Sequence, residues 1–150
     1  MIRAQNGKSL VVIKQQSATT ATTLTSDLID TRGFDYLSLF VHATTADAVT
    51  NKPSVLKLQE SDDTVATNFA DITLAVGDGV GGFVLPNSPI ATTTKAYAKF
   101  DADLTGRKRY IRLLITPRTA QTFSALGFLH RPKELPNTTT ESNADVLIVL

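Results

Sequence analysis

Apolar and polar residues alternate along much of this chain with a period of two, the pattern of a half-buried strand rather than a helix. The clearest run is Phe34 to Ala43. Leu37, Leu39 and Val41 fall on one side of it, and Phe34, Tyr36, Ser38, Phe40 and His42 on the other. Ser54 to Ser61 sets Leu56 and Leu58 against Val55, Lys57 and Gln59. Lys95 to Ala102 turns Ala96, Ala98 and Phe100 inward and Lys95, Tyr97, Lys99 and Asp101 outward. Lys108 to Thr116 sets Ile111, Leu113 and Ile115 against Tyr110, Arg112 and Leu114. Gln121 to His130 sets Phe123, Ala125, Gly127 and Leu129 against Leu126 and Phe128. Lys8 to Lys14 is apolar on both sides at its centre, which predicts a strand covered on both faces.

Punctuation between the runs agrees. Asp30-Thr31-Arg32-Gly33 predicts a tight turn with glycine free to take positive φ. Asp103-Leu104-Thr105-Gly106 predicts a hairpin loop, and Ala46 to Pro53 a longer loop. Residues 64–75 fit either one helical turn or a turn and a short strand. Gly77 to Gly82 reads as a flexible stretch leading to a short strand, Phe83 to Leu85, closed by Pro86 and Pro89. From Arg131 to Asp145 the chain turns polar and proline-containing, and an apolar run, Val146 to Leu150, closes it.

About seven to nine short strands at this spacing predict an all-β fold, a jelly-roll-like sandwich of two antiparallel sheets with few or no helices. The organisation expected is a sandwich domain over residues 1–135 and an extended tail, 136–150, ending in a short strand. That strand can dock on its own sheet or cross to another subunit.

Composition narrows the function. The 150 residues suffice for one domain with its own core. A net charge of +1 argues against binding polyanions through bulk charge. There is no cysteine, so disulfides, thiolate metal sites and a cysteine nucleophile are excluded. The 22 threonines favour strands and turns over helix. The apolar run Leu10–Ile13 is too short for a signal-peptide core, and no run approaches the length of a spanning helix, so no membrane partner is expected. Asn137-Thr138-Thr139 matches a glycosylation acceptor by chance in that setting.

Candidate chemistry is sparse. Gly77, Gly79 and Gly82 match a dinucleotide-binding spacing, but Phe83-Val84-Leu85-Pro86 cannot supply the helix that would hold a pyrophosphate. Glu60, Asp62 and Asp63 follow a strand without the further oxygen ligands of a calcium loop, and read as a solvated turn. Asp101 and Asp103 form a carboxylate pair with nothing to push their pKa values apart. His42 and His130 lack a nucleophile elbow or a third metal ligand. No catalytic residue, metal site or cofactor is therefore expected, and the chain reads as a non-enzyme.

Two features point to contacts instead. Arg107, Lys108, Arg109 and Arg112 open a basic stretch that runs without a carboxylate to Glu134. Segregated charge of this kind can meet a complementary patch, or it can be a strand with solvated arginines. Too few aromatics interleave with it for single-stranded nucleic acid, so none is expected as a partner. The second feature is apolar: Phe34, Tyr36 and Phe40, with the closing run Val146, Leu147, Ile148, Val149 and Leu150, are candidates for an oligomer interface.

The order of four segments resembles a known family. These are Leu28-Ile29-Asp30-Thr31-Arg32-Gly33-Phe34-Asp35-Tyr36-Leu37, then Leu56 to Asp63, then Gly106-Arg107-Lys108-Arg109-Tyr110-Ile111-Arg112, then Leu126 to Pro132. Together, over about residues 24 to 135, they resemble the jelly-roll-type cement or decoration proteins of tailed-phage capsids. The resemblance implies a sandwich on the capsid exterior, made in the host bacterial cytoplasm. It would bind the major capsid protein, bridge neighbouring subunits and form a homo-oligomer, dimer or trimer. The basic stretch is the candidate capsid contact. The rival expectations are a carbohydrate- or receptor-binding module of a tail appendage, and an enzyme using Asp101 and Asp103.

Overall fold

The computed structural model describes residues 7–19, 22–43, 52–85, 96–130 and 144–150. The strands are β1 (Lys8–Ala18), β2 (Leu24–Thr25), β3 (Ile29–Asp30), β4 (Tyr36–Ala43), β5 (Val55–Ser61), β6 (Ala70–Val76), β7 (Ala96–Asp103), β8 (Tyr110–Thr116), β9 (Gln121–His130) and β10 (Ala144–Val149). Sheet A has the order β1-β9-β4-β7-β10. Sheet B has the order β2-β8-β5-β6, with β3 also pairing with β8. The alternation read in the sequence thus becomes a two-sheet, nearly all-β sandwich. One pair departs from the antiparallel expectation: β10 lies parallel to β7, with Val146 opposite Ala98 and Ile148 opposite Phe100.

The core lies between the sheets. Leu37, Leu39 and Val41 of β4 meet Leu56 and Leu58 of β5 and Ile111, Leu113 and Ile115 of β8 in one cluster, all fully buried. Each such side chain stabilises the fold by roughly 1.5–3 kcal/mol. The turn before β4 forms as expected: Gly33 takes φ +87, and Phe34 N–H donates to Thr31 O at 3.1 Å. Residues 64–75 take a part of each alternative, one short helical turn of 3-10 type followed by a strand. Asp63 accepts from Val65 N–H and Asn68 Nδ2, a 3-10 turn follows at Ala66–Asn68, and then β6.

Four local expectations are corrected. β1 is the edge of sheet A and is not covered on both faces. Val12 and Ile13 are both buried because the register slips between Val11 and Ile13, so adjacent residues point the same way. Asp103–Gly106 is no hairpin: it carries the chain from β7 in sheet A to β8 in sheet B. Buried Leu104 pins it, its N–H donating to Asp35 O, while Gly106 takes φ +75. β7 is not wet on one side, since Tyr97, Lys99 and Asp101 are as buried as Ala98 and Phe100.

The last correction concerns Gly77 to Leu85. Phe83 makes only an isolated bridge to Gly77, not a strand. The glycine stretch is held by hydrogen bonds: Asp78 N–H donates to Phe83 O, Phe83 N–H to Val76 O, and Leu85 N–H to the Asp78 carboxylate. A Cβ on Gly82 would lie 1.9 Å from Val76 O, so only glycine fits there. The expected loop at Ala46–Pro53 lies mostly outside the described residues, and so do Pro86, Pro89 and the polar segment at 131–143.

Candidate functional site

The basic stretch lies at the end of sheet B where β8 begins. Its charges are unequally available. Arg109 grips Asp30 with two bonds, Nε to Oδ1 at 3.0 Å and Nη2 to Oδ2 at 2.7 Å. That guanidinium, with the Arg32 amide, holds the Asp30 carboxyl at a pKa of about 2. Arg107 lies 3.8 Å from Glu60, which also accepts from the Lys108 backbone amide. Arg112 donates to Gln59 Oε1 and stacks over the Phe69 ring at 4.1 Å. Lys108 acts on Asp63 only at a distance, helping lower a carboxyl held down first by its bond from Asn68. Among the described residues, Lys108 and Arg112 thus have no carboxylate in ion-pairing reach, whereas Arg107 and Arg109 do.

The other face is the outside of sheet A. Tyr36 and Phe40 project there from β4, and Leu126, Phe128 and His130 from β9. Phe34, grouped with Tyr36 and Phe40 by sequence, packs partly buried against the core, because the Gly33 turn lifts it out of the β4 alternation. β10 divides in the same way: Ile148 enters the core, Val146 and Leu150 pack against it, and Leu147 and Val149 sit opposite Lys99 and Asp101 on the outer side. The terminal strand is therefore part of the sheet's packing.

Beneath this outer face lies a polar chain that sequence reasoning did not assemble. Lys99 Nζ stands 2.7 Å from Asp101 Oδ2, and 5.2 Å above the Phe40 ring. Oδ2 receives no directed hydrogen bond among the described residues, so that contact is a bare ion pair. Ser38 Oγ donates to Asp101 Oδ1 at 2.6 Å and lies 3.1 Å from His130 Nε2. Because the one hydroxyl proton goes to Asp101, Nε2 must be the donor to Oγ, which assigns the imidazole tautomer. Burial lowers the His130 pKa, Asp101 opposes that, and Lys99 adds to it. The signal was in the alternation: Lys99 and Asp101 share parity along β7, as do Ser38 and Phe40 along β4. The register that makes them neighbours was not legible.

The remaining candidates stay apart. Asp101 is buried, whereas Asp103 accepts from Thr105 N–H in an exposed turn that lowers its pKa. His42 shares the outer side of β4 with Ser38, whose counterpart on β9 is Phe128. No group of three metal-ligating side chains occurs among the described residues.

No protein family matches this sequence, and no curated protein does. Among solved structures, the crystal structure of the SPBc2 prophage-derived protein YomS is similar, with a TM-score of 0.46 and 12% identity over 84% of this chain and 94% of that one. A likeness of that size says nothing of what this chain binds.

Proposed function

We propose that this chain is a virion structural protein that binds the outside of a tailed-phage capsid and cements neighbouring major capsid subunits. The observation that supports it is a stiff two-sheet body that leaves large apolar side chains in water on a strand face: Val11, Leu126, Phe128 and Val149 are all exposed. Such side chains weaken solubility and are kept where a neighbour covers them. The order of sequence segments, which resembles that of cement proteins, supports a capsid subunit as that neighbour. Repetition on a lattice turns modest single contacts into firm retention.

The test is co-sedimentation of the purified chain with expanded shells of the major capsid protein encoded in the same genome. Saturable binding to the shell exterior is expected. Shells that sediment without it overturn the reading. Lys108→Glu with Arg112→Glu should weaken binding and flatten its dependence on salt, because at the start of β8 these two cations have no carboxylate in ion-pairing reach among the described residues. Unchanged binding and salt slope would remove them from the contact.

A further inference from the structure

The two edges of sheet A are fastened differently. β1 is tied beyond the register of its ladder with β9: Ser17 Oγ lies 2.9 Å from Thr122 Oγ1, and Val12 O accepts at 2.9 Å from Asp27 N–H, between β2 and β3. β10 meets one strand among the described residues, β7, and that pairing is parallel where the others in the sheet are antiparallel. Parallel pairs are slightly less stable per residue. From Val146 to Leu150 every side chain is apolar, so among the described residues backbone bonds and packing alone hold them. Ile148 supplies the buried part of that packing, with Val146 and Leu150 against the core beside it.

β7 has the composition of a strand that can end a sheet. Its Lys99 and Asp101 stand opposite Leu147 and Val149 of β10 and are buried. Charged side chains are what protect an edge strand from unwanted pairing. In a strand that is always central, the same charges bring only the cost of their desolvation. Without β10, sheet A is β1-β9-β4-β7, antiparallel throughout, and one flank of the ion pair opens to water.

We infer that β10 is a releasable strap: docked, it closes the β7 edge, and it leaves as a unit while the other strands stay folded, its release eased by water returning to Lys99 and Asp101. The docked state gains the apolar packing of Ile148 and gives up hydration of the pair; the released state does the reverse. Release frees both the edge of β7, a template for an incoming strand, and an apolar terminal strand. The inference goes beyond the proposed function and does not depend on it.

Backbone direction separates the two neighbours of β7. Leu150 N–H donates to Asp101 O, and Leu150 O accepts from Asp103 N–H. A parallel ladder repeats every second residue, so Lys99 and Asp101 turn their amides to β10, whereas Phe100 and Ala102 turn theirs to β4. Native-state hydrogen exchange of the full chain, corrected for intrinsic rates, reads both sides of one strand. The Lys99, Asp101 and Ile148 amides should exchange together, roughly a hundredfold or more faster than those of Phe100 and Ala102. Equal protection of Asp101 and Phe100 would overturn the inference, and so would fast exchange confined to Leu150, which is end fraying. In Lys99→Met with Asp101→Leu no charge regains water on opening. Protection at 99 and 101 should then rise by roughly tenfold relative to that at 100 and 102. An unchanged ratio would overturn the part given to the ion pair.

Discussion

Lys99 and Asp101 on sheet A, and Arg109 and Asp30 beside sheet B, are both ion pairs with a closest approach of 2.7 Å. Distance does not separate them; water does. The side chains of the first pair are 4% and 2% exposed, and those of the second 41% and 39%. In the interior a lost partner leaves a charge with no solvent to replace it, whereas at the surface water and salt take its place. The two outer faces therefore answer differently to the same change. At the centre of sheet A the charges of β7 lie below the surface, and the neighbouring strands show apolar groups. Sheet B shows its charges and neutralises most of them locally.

The largest effect follows from removing half of the buried pair. Lys99→Met leaves the Asp101 carboxylate with only Ser38, and should cost about 3–5 kcal/mol in urea unfolding. Lys99→Met with Asp101→Leu should recover much of that loss, because a buried pair replaced by packed apolar groups is often near neutral. A double variant as unstable as the single would mean that the pair itself stabilises the sheet. A single variant of wild-type stability would mean that water reaches this site freely, against its burial.

The contrast also shows where reading the sequence stopped. Leu37, Leu39 and Val41, or Ile111, Leu113 and Ile115, were legible as core because alternation is local: each residue's side of its strand follows from its neighbours in sequence. The inward and outward sides of β4, β5, β8 and β9 came from that alone. Pairing is not local. Nothing in Lys95 to Ala102 says that β7 sits between β4 and β10, so alternation alone turns Lys99 and Asp101 outward and gives no sign that they are buried. For the same reason Asp103–Gly106 read as a hairpin: its turn chemistry is right, and only the partner strands show that it changes sheets. The double apolar face of β1 misled because a bulge and a central strand produce the same pattern. For the site, the residue types at the start of β8 were legible, but not that Asp30 and Glu60, far off in sequence, answer Arg109 and Arg107.

An intermediate effect belongs to His130, which touches both water and the buried chain through Ser38. Burial, the largest influence, sets its folded pKa below the ordinary 6.5. The folded state therefore resists taking a proton that the unfolded state accepts. Above pH 6.5 both states are neutral there and nothing is lost. As the pH falls from 6.5 toward the lower folded value, stability declines, and it levels off once the folded imidazole also titrates. His130→Gln should flatten the pH dependence of the unfolding midpoint in that window. An unchanged slope would assign it to other groups.

The smallest effect is expected at Asp30, although its bonds to Arg109 are the better formed. Its folded pKa of about 2 against an ordinary 3.8 means that the folded state favours the carboxylate. The stabilisation is complete above pH 3.8 and is lost as the pH falls from 3.8 to about 2, where the folded group finally protonates. The shift overstates the worth of the pair, because both side chains lie more than a third exposed and solvent screens what geometry promises. Asp30→Asn at neutral pH should therefore move the urea midpoint far less than Lys99→Met does, and added salt should erase the difference. A loss rivalling that of the buried pair, and indifferent to salt, would show that geometry outweighs burial here and would reverse the ranking of the two faces.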